Sequence, residues 1–340
     1  MMGVMLSKIV GNTSLKCRIS TDIGNNTLSH AYIIEGPEGS GRHTMALNIA
    51  AAISCSERGS APCYSCKNCQ KIFGAGSPDI IVQGLEGDKV TIGVESIRKI
   101  KEDIVIAPND LDIKVYIIEN ADAMTVQAQN AFLLSLEEPP KYVMFFLLCE
   151  SSGALLETIR SRAPILRLER LEDGEVEKYL LDHDNRAKQL NEEDPKVFKT
   201  IAFAANGCIG KALSLLDAQK RKALFDERKT AERILSILSC PNRTEVLDII
   251  SSLGKKRNEV SRYLTSVEYA VRDLLMLKKS DSARLCFFPD REEAQELSTR
   301  YTSASLMSLY SALCQACDEL DANSNVRLTL LSMAQRAGLI

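Results

Sequence analysis

Tyr32-Ile33-Ile34-Glu35-Gly36-Pro37-Glu38-Gly39-Ser40-Gly41-Arg42-His43-Thr44 is the stretch on which the fold turns. A short apolar run reads as a strand, a glycine-rich turn follows, and Thr44 to Ser54 reads as an amphipathic helix. In that strand-turn-helix setting, three glycines let the backbone wrap a phosphate, and the helix N-terminus adds partial positive charge. Two positions depart from the phosphate-loop pattern: Arg42 stands where it has Lys, and His43 where it has Ser or Thr. A planar guanidinium does not replace the compact ammonium that reaches the β- and γ-phosphates, and an imidazole offers Mg²⁺ no hydroxyl. Thr44 has the hydroxyl, but about 100° further round the helix.

Further compact apolar runs follow at Ile80-Ile81-Val82, Val115 to Ile118, Met144 to Leu148 and Ile165-Leu166, with an amphipathic segment at Val94 to Ile104. Nearly continuous apolar strands alternating with helices imply a mostly parallel α/β sheet covered on both faces. After about Leu168 the strand signal stops. Gly174 to Leu181, Pro195 to Ala205 and Lys211 to Leu216 read as short helices, with Gly207 and Gly210 as punctuation; Glu259 to Lys278 and Ser303 to Asp321 read as long ones, with breaks at Pro289 and Asn323. The expected organisation is an α/β domain over 1–168, a small helical domain over 169–221 and a larger helical domain over 222–340.

The 340 residues exceed one ordinary core, and 45% apolar content suffices for packed units. A net charge of -3 argues against a free-standing nucleic-acid binder. Met1 to Asn12 lacks the apolar core of a signal peptide, and no run of apolar residues is long enough to span a membrane. A reducing cytoplasm is therefore expected, with the eleven cysteines as thiols or metal ligands.

Ile117-Ile118-Glu119-Asn120-Ala121-Asp122 closes a strand where nucleotide hydrolases of this kind place a metal-holding Asp followed by a catalytic Glu. Glu119 can still hold Mg²⁺ through water, but Asn120 has no basic carboxylate with which to prepare an attacking water. The two departures together imply a nucleotide fold with weak or absent hydrolysis. Cys55, Cys63, Cys66 and Cys69 form C-x7-C-x2-C-x2-C, with Gly59, Ser60 and Pro62 to make the turn. Four thiolates close a tetrahedral shell around Zn²⁺ and leave no open position, so the expected role is structural. Cys314-x2-Cys317 has apolar neighbours at helical spacing and reads as packing.

Asn130-Ala131-Phe132-Leu133-Leu134-Ser135-Leu136-Glu137-Glu138-Pro139-Pro140 and Thr158-Ile159-Arg160-Ser161-Arg162 resemble stretches shared by the clamp-loader subunits of bacterial DNA polymerase III. The second resembles the family's Ser-Arg-Cys motif, with Ala163 in place of the cysteine. Arg272-Asp273-Leu274-Leu275 and Asn323 to Leu328 are similar to helices of its C-terminal collar. The resemblance implies an AAA+ RecA-like parallel-sheet domain with a zinc module at about 55–69, a small helical lid and a helical collar. It also implies a hetero-pentamer with gamma/tau and delta subunits that uses ATP to place a ring-shaped sliding clamp on primed DNA. The clamp and the primer-template DNA would be met through the complex.

Within that family, the altered loop points to a non-motor subunit of the polymerase III holoenzyme that binds ATP weakly or not at all. Its degenerate site would comprise Gly36, Gly39, Gly41, Arg42, His43, Thr44 and Glu119. Arg162, with Ser161, takes the family's position for a guanidinium that reaches the γ-phosphate held by a neighbouring subunit, where a fixed charge forked around phosphate oxygens stabilises phosphoryl transfer. Outside that setting, the same Arg reads as a solvated surface ion pair. Lys211 lies near the family's second-domain arginine, and Arg98 and Lys101 share a helix face that suits either DNA phosphates or plain solvent. The alternatives are an active gamma/tau-like ATPase and an unrelated zinc-containing nucleic-acid binder. The absence of a basic stripe and of stacking aromatics, beyond Tyr64, counts against the second.

Overall fold

The computed structural model describes residues 6–340 except 58, 60, 75, 88, 239–242, 254, 255 and 281, with only the backbone described at 237, 238 and 243. Ser60, one of the turn residues expected between Cys55 and Cys63, lies outside the described residues, as does the start of the Met1 to Asn12 stretch. The chain divides into two compact units. One runs to Tyr179 and takes in Gly207–Lys211; the other comprises Leu180–Asn206 and Ala212–Ile340.

In the first unit, each apolar run of the sequence becomes a strand: β1 (Ala31–Glu35), β2 (Ile80–Gln83), β3 (Lys114–Ile118), β4 (Val143–Cys149) and β5 (Ile165–Arg167). They form one parallel sheet in the order β2-β3-β4-β1-β5. α1 (Thr13–Asn25) precedes the first strand, and the helices between the strands are α2 (Arg42–Ser54), α3 (Lys67–Phe73), α4 (Val94–Asp103), α5 (Val126–Glu137) and α6 (Glu157–Arg160). Successive strand side chains point to opposite faces, and both faces are covered. Tyr32, Ile34, Val115, Ile117 and Phe146 pack with Ile19 of α1, Met45 and Ile49 of α2 and Ile72 of α3. Ile33, Tyr116, Phe145 and Leu147 pack with Ile97 and Ile100 of α4, Phe132 of α5 and Ile159 of α6. Phe132 meets Phe145 edge-on at 5.0 Å between centroids. With both faces buried, each large side chain contributes roughly 1.5–3 kcal/mol, so period-2 alternation of polar and apolar residues is absent.

Two buried polar anchors tie loops to this sheet. Asp79, 2% exposed, accepts from the backbone N–H groups of Asn109, Asp110 and Leu111 at 2.6–2.8 Å. Lys114 at the start of β3 is buried; its Nζ meets Asp103 Oδ2 at 2.9 Å and donates to the carbonyls of Asp103 and Ile106. Tyr116 Oη donates to the same Asp103 oxygen at 2.8 Å.

The remaining helices follow as α7 (Asp173–His183), α8 (Asn185–Glu193), α9 (Pro195–Ala204), α10 (Ile209–Leu215), α11 (Ala218–Leu238), α12 (Arg243–Ser252), α13 (Arg257–Leu277), α14 (Arg291–Thr299), α15 (Ser303–Asp321) and α16 (Val326–Arg336). Residue 195 is a proline at the first turn of α9, and the Asp194 side chain caps the backbone N–H groups of Lys196 and Val197. In the second unit the core is built around α13 and α15, where Leu264, Val267, Val271 and Leu274 pack with Leu309, Leu313, Ala316 and Leu320. Asp273 is fully buried in α13. It accepts from the N–H groups of Cys286, Phe287 and Phe288 and from Arg272, which makes it the anchor of the connection into α14. Arg228 lies buried between the rings of Phe203 and Phe287, at 5.7 and 5.2 Å. Among the described residues, no helix is long and apolar enough to cross a membrane.

Candidate functional site

The glycine loop leaves the carboxyl end of β1, which lies between β4 and β5, the place where doubly covered parallel sheets bind ligands. Gly36 donates its N–H to Cys149 O at 3.1 Å. Gly39 has φ +77° and Gly41, the N-cap of α2, has φ +92°, a region that glycine enters without strain. Gly39 O accepts from Gly210 N–H at 2.9 Å, and a Cβ on Gly39 would lie 2.5 Å from the backbone nitrogen of Lys211. The first turn of α10 is therefore pressed onto the loop backbone, and this brings Lys211 beside the loop.

The altered positions have found other uses. His43 Nδ1 lies 2.8 Å from Glu119 Oε1, and since a carboxylate accepts, the ring nitrogen donates. The residue expected to lack a metal-binding hydroxyl thus holds the acid expected to keep Mg²⁺ through water. Arg42 Nη1 is buried with no hydrogen-bond partner among the described residues. Its charge acts on Cys149 at the end of β4, whose thiol burial and the nearby Asp122 and Glu35 push up to about 12 against the pull of Arg42. Thr44 is exposed, consistent with its displaced register. Asn120 takes a left-handed conformation, φ 51°, at the turn leaving β3.

Arg162 is elsewhere. Because all strands are parallel, the α6–β5 connection that carries it enters the sheet at the amino edge, opposite the carboxyl edge where the glycine loop lies. The same edge receives the end of α5. There Glu137 Oε1 accepts from Arg162 Nη2 at 2.8 Å, and Thr158 O accepts from Nη1 at 3.0 Å. The guanidinium side chain remains 37% exposed, and Ser161 Oγ donates to Thr158 O. Ala163, next in the chain, is fully buried in the core on that face of the sheet. Sequence reasoning missed the residue that shapes this segment. Gln129 of α5 is buried, donates to the carbonyls of Met124 and Ala154 and accepts from Leu156 N–H at 2.7 Å, fixing the chain just before α6. No spacing rule marks a glutamine as such a brace. Glu137 belongs to the family-like stretch Asn130 to Pro140, but its partner is 25 residues away.

The four cysteines converge. Cys55, Cys63, Cys66 and Cys69 bring their Sγ atoms within 4.8 Å of one another, close to the spacing of about 3.8 Å that four sulfurs at 2.3 Å from Zn²⁺ require. Backbone N–H groups of Cys63, Cys66 and Cys69 point at the sulfurs of Cys55, Cys63 and Cys66 at 3.2–3.5 Å, the kind of surrounding hydrogen bonding that orients metal ligands. Burial opposes ionisation of Cys66, yet the N–H groups of Cys69 and Ser56 hold its thiol down to about 5. Burial pushes Cys69 up to about 12, so a divalent cation is what would ionise all four. This donor set fits Zn²⁺. The cluster closes the end of α2 and opens α3, where Cys66 is the N-cap.

Other expected positions fall on ordinary surfaces. Arg98 and Lys101 are exposed on α4, while Lys99 between them meets Glu86 at 3.3 Å. Cys317 packs against the core of the second unit and Cys314 Sγ points to Glu268, in keeping with a packing role.

A parallel sheet of this order, with a glycine loop after β1 and an acid just after β3, is an α/β arrangement of the phosphate-loop type. Residues 11–172 match the family model described as DNA polymerase III, delta subunit. Over that region, just under half of the chain, it is similar to subunits of the DNA polymerase III clamp loader. It is 36% identical to the DNA polymerase III subunit delta' of Bacillus subtilis over 162 residues, 48% of this chain and 49% of that one. It is 27% identical to the subunit tau of the same organism over 289 residues, 79% of this chain and 50% of that one. The chain spans about half or less of the length of the first curated relatives it matches. A gamma subunit-related protein of Thermotoga maritima aligns with 94% of the chain and 99% of its own at 18% identity and a TM-score of 0.46.

Proposed function

We propose that this chain is a delta-prime-type subunit of the polymerase III clamp loader, one that does not itself act as a motor. It works in a hetero-pentamer with gamma/tau and delta subunits in the cytoplasm, meeting the sliding clamp and primer-template DNA through that complex. The organisation we assign has three domains: a RecA-like domain, a lid and a collar. Arg162, with Ser161 beside it, supplies a guanidinium to the γ-phosphate held by a neighbouring subunit, and the Cys55, Cys63, Cys66 and Cys69 module holds structural Zn²⁺. The observation that carries this reading is the place of Arg162. It sits partly exposed at the amino edge of the sheet, on the far side from the chain's own glycine loop, so any phosphate it serves belongs to another molecule. Arg42, His43 and Asn120 meanwhile lack the groups that hydrolysis in the chain's own loop would need.

The test is Mg²⁺-dependent ATP hydrolysis by the purified chain alone, with and without primed DNA. The expected result is no turnover in either condition. Clear turnover that Arg42→Ala abolishes would overturn the reading in favour of a gamma/tau-like ATPase. One observation favours that second reading: the match to tau runs over 79% of this chain, against 48% for delta'.

A further inference from the structure

In a nucleotide loop of this fold, Mg²⁺ is held between the hydroxyl residue at the first turn of the helix and the acid that ends the neighbouring strand. Here those positions are His43 in α2 and Glu119 after β3, and the two hold each other, with Nδ1 and Oε1 2.8 Å apart. We propose that the His43 imidazole occupies the place of the metal ion, so that the loop excludes Mg²⁺ and takes only metal-free nucleoside di- or triphosphate. The inference rests on reading Gly36 to Thr44 as a nucleotide loop.

Three features support it. Mg²⁺ demands a near-octahedral set of oxygen ligands, and an imidazole whose Nδ1 already donates to Glu119 offers no lone pair there to a cation of any kind. One of the two Glu119 oxygens, Oε1, already accepts from the His43 ring nitrogen. The hydroxyl that the first turn of α2 does carry, on Thr44, is exposed and one residue out of register. The hydrogen bond also ties α2 to the end of β3 directly, a link that a metal and nucleotide otherwise supply. Arg42 alone would weaken phosphate binding without barring the cation. His43 bars it.

The experiment uses the full-length chain with ADP as ligand, Mn²⁺ as a paramagnetic probe of the Mg²⁺ position and His43→Thr as the variant. For the unaltered chain, ADP affinity should be the same in Mg²⁺ as in chelator, and no Mn²⁺ resonance should report a protein-bound ion. In His43→Thr, Mg²⁺ should tighten ADP by at least about tenfold and bound Mn²⁺ should appear. His43→Ser, which places the same hydroxyl on a smaller side chain, should behave alike and covers the case in which the threonine variant does not fold. Bound Mn²⁺ in the unaltered chain, or variants that bind ADP without gaining the metal, would overturn metal exclusion and leave the nucleotide-loop reading standing. No ADP binding by any form at millimolar concentration would overturn both.

Discussion

Arg162 reaches the surface on two anchors, Glu137 and the carbonyl of Thr158, both on the amino edge of the sheet. A partly exposed pair of this kind adds little stability, roughly 0–1 kcal/mol, so the guanidinium can exchange its carboxylate for a phosphate at small cost. Arg162→Ala should therefore leave assembly of a reconstituted loader intact by gel filtration while lowering its clamp-stimulated ATP hydrolysis by at least about tenfold. Unchanged hydrolysis would remove the trans-acting role. Arg162→Lys should recover only a fraction of the loss, because an ammonium does not fork around two phosphate oxygens. Cys66 has a double role at the same scale, as one of four converging thiols and as the N-cap of α3. Cys66→Ser should drop the bound zinc measured by elemental analysis from about one ion per chain to near none. Retained metal would show that three sulfurs or another donor suffice.

At the scale of elements, α4 is fastened to the sheet by Asp103, which pairs with Lys114 and accepts a hydrogen bond from Tyr116. Burial would raise its carboxyl, but the hydrogen bonds from these two partners hold it below the ordinary carboxylate range. A depressed folded value means that the contribution is fully present above the ordinary value and fades as pH falls through the folded one. Asp103→Asn should thus lower stability by about 1 kcal/mol near neutral pH, solvent screening included, and the gap to the unaltered chain should close under acid in urea titrations. A gap independent of pH would point to packing instead. In the second unit, Asp273 satisfies three backbone N–H groups in one buried place. Removing it in Asp273→Ala strands those donors, and a loss of about 3 kcal/mol is expected from denaturant unfolding.

For the whole molecule, the two compact units provide separate reporters. Hydrogen exchange followed along the chain should place the effect of Cys66→Ser in the amides around the end of α2 and the start of α3. The effect of Asp273→Ala should fall on the segment from Ala283 to Phe288. A Cys66→Ser effect spread evenly over both units would mean that the thiol cluster supports more than the fold in which it sits.

The strands and their parallel order of burial were legible in the sequence because Tyr32 to Ile34, Val115 to Ile118 and Met144 to Leu148 are apolar at every position, which only a sheet covered on both faces requires. The boundaries of α9 and α15 were legible because Pro195 and Asn323 act on their own backbone, one at a first turn and one in a left-handed turn. The convergence of four cysteines followed from their spacing, since x2 separations bring thiols to one side of a turn. The sequence by itself thus determined what depends on a residue and its near neighbours. Tertiary structure alone decided the rest: that His43 would hold Glu119, 76 residues on, that Gln129 would brace the approach to α6, that Asp273 would gather the N–H groups of residues 286–288, and that Gly210 would press on Gly39. Hydrogen bonds are satisfied through space, and a side chain carries no mark of which distant partner the packed fold will bring within 3 Å.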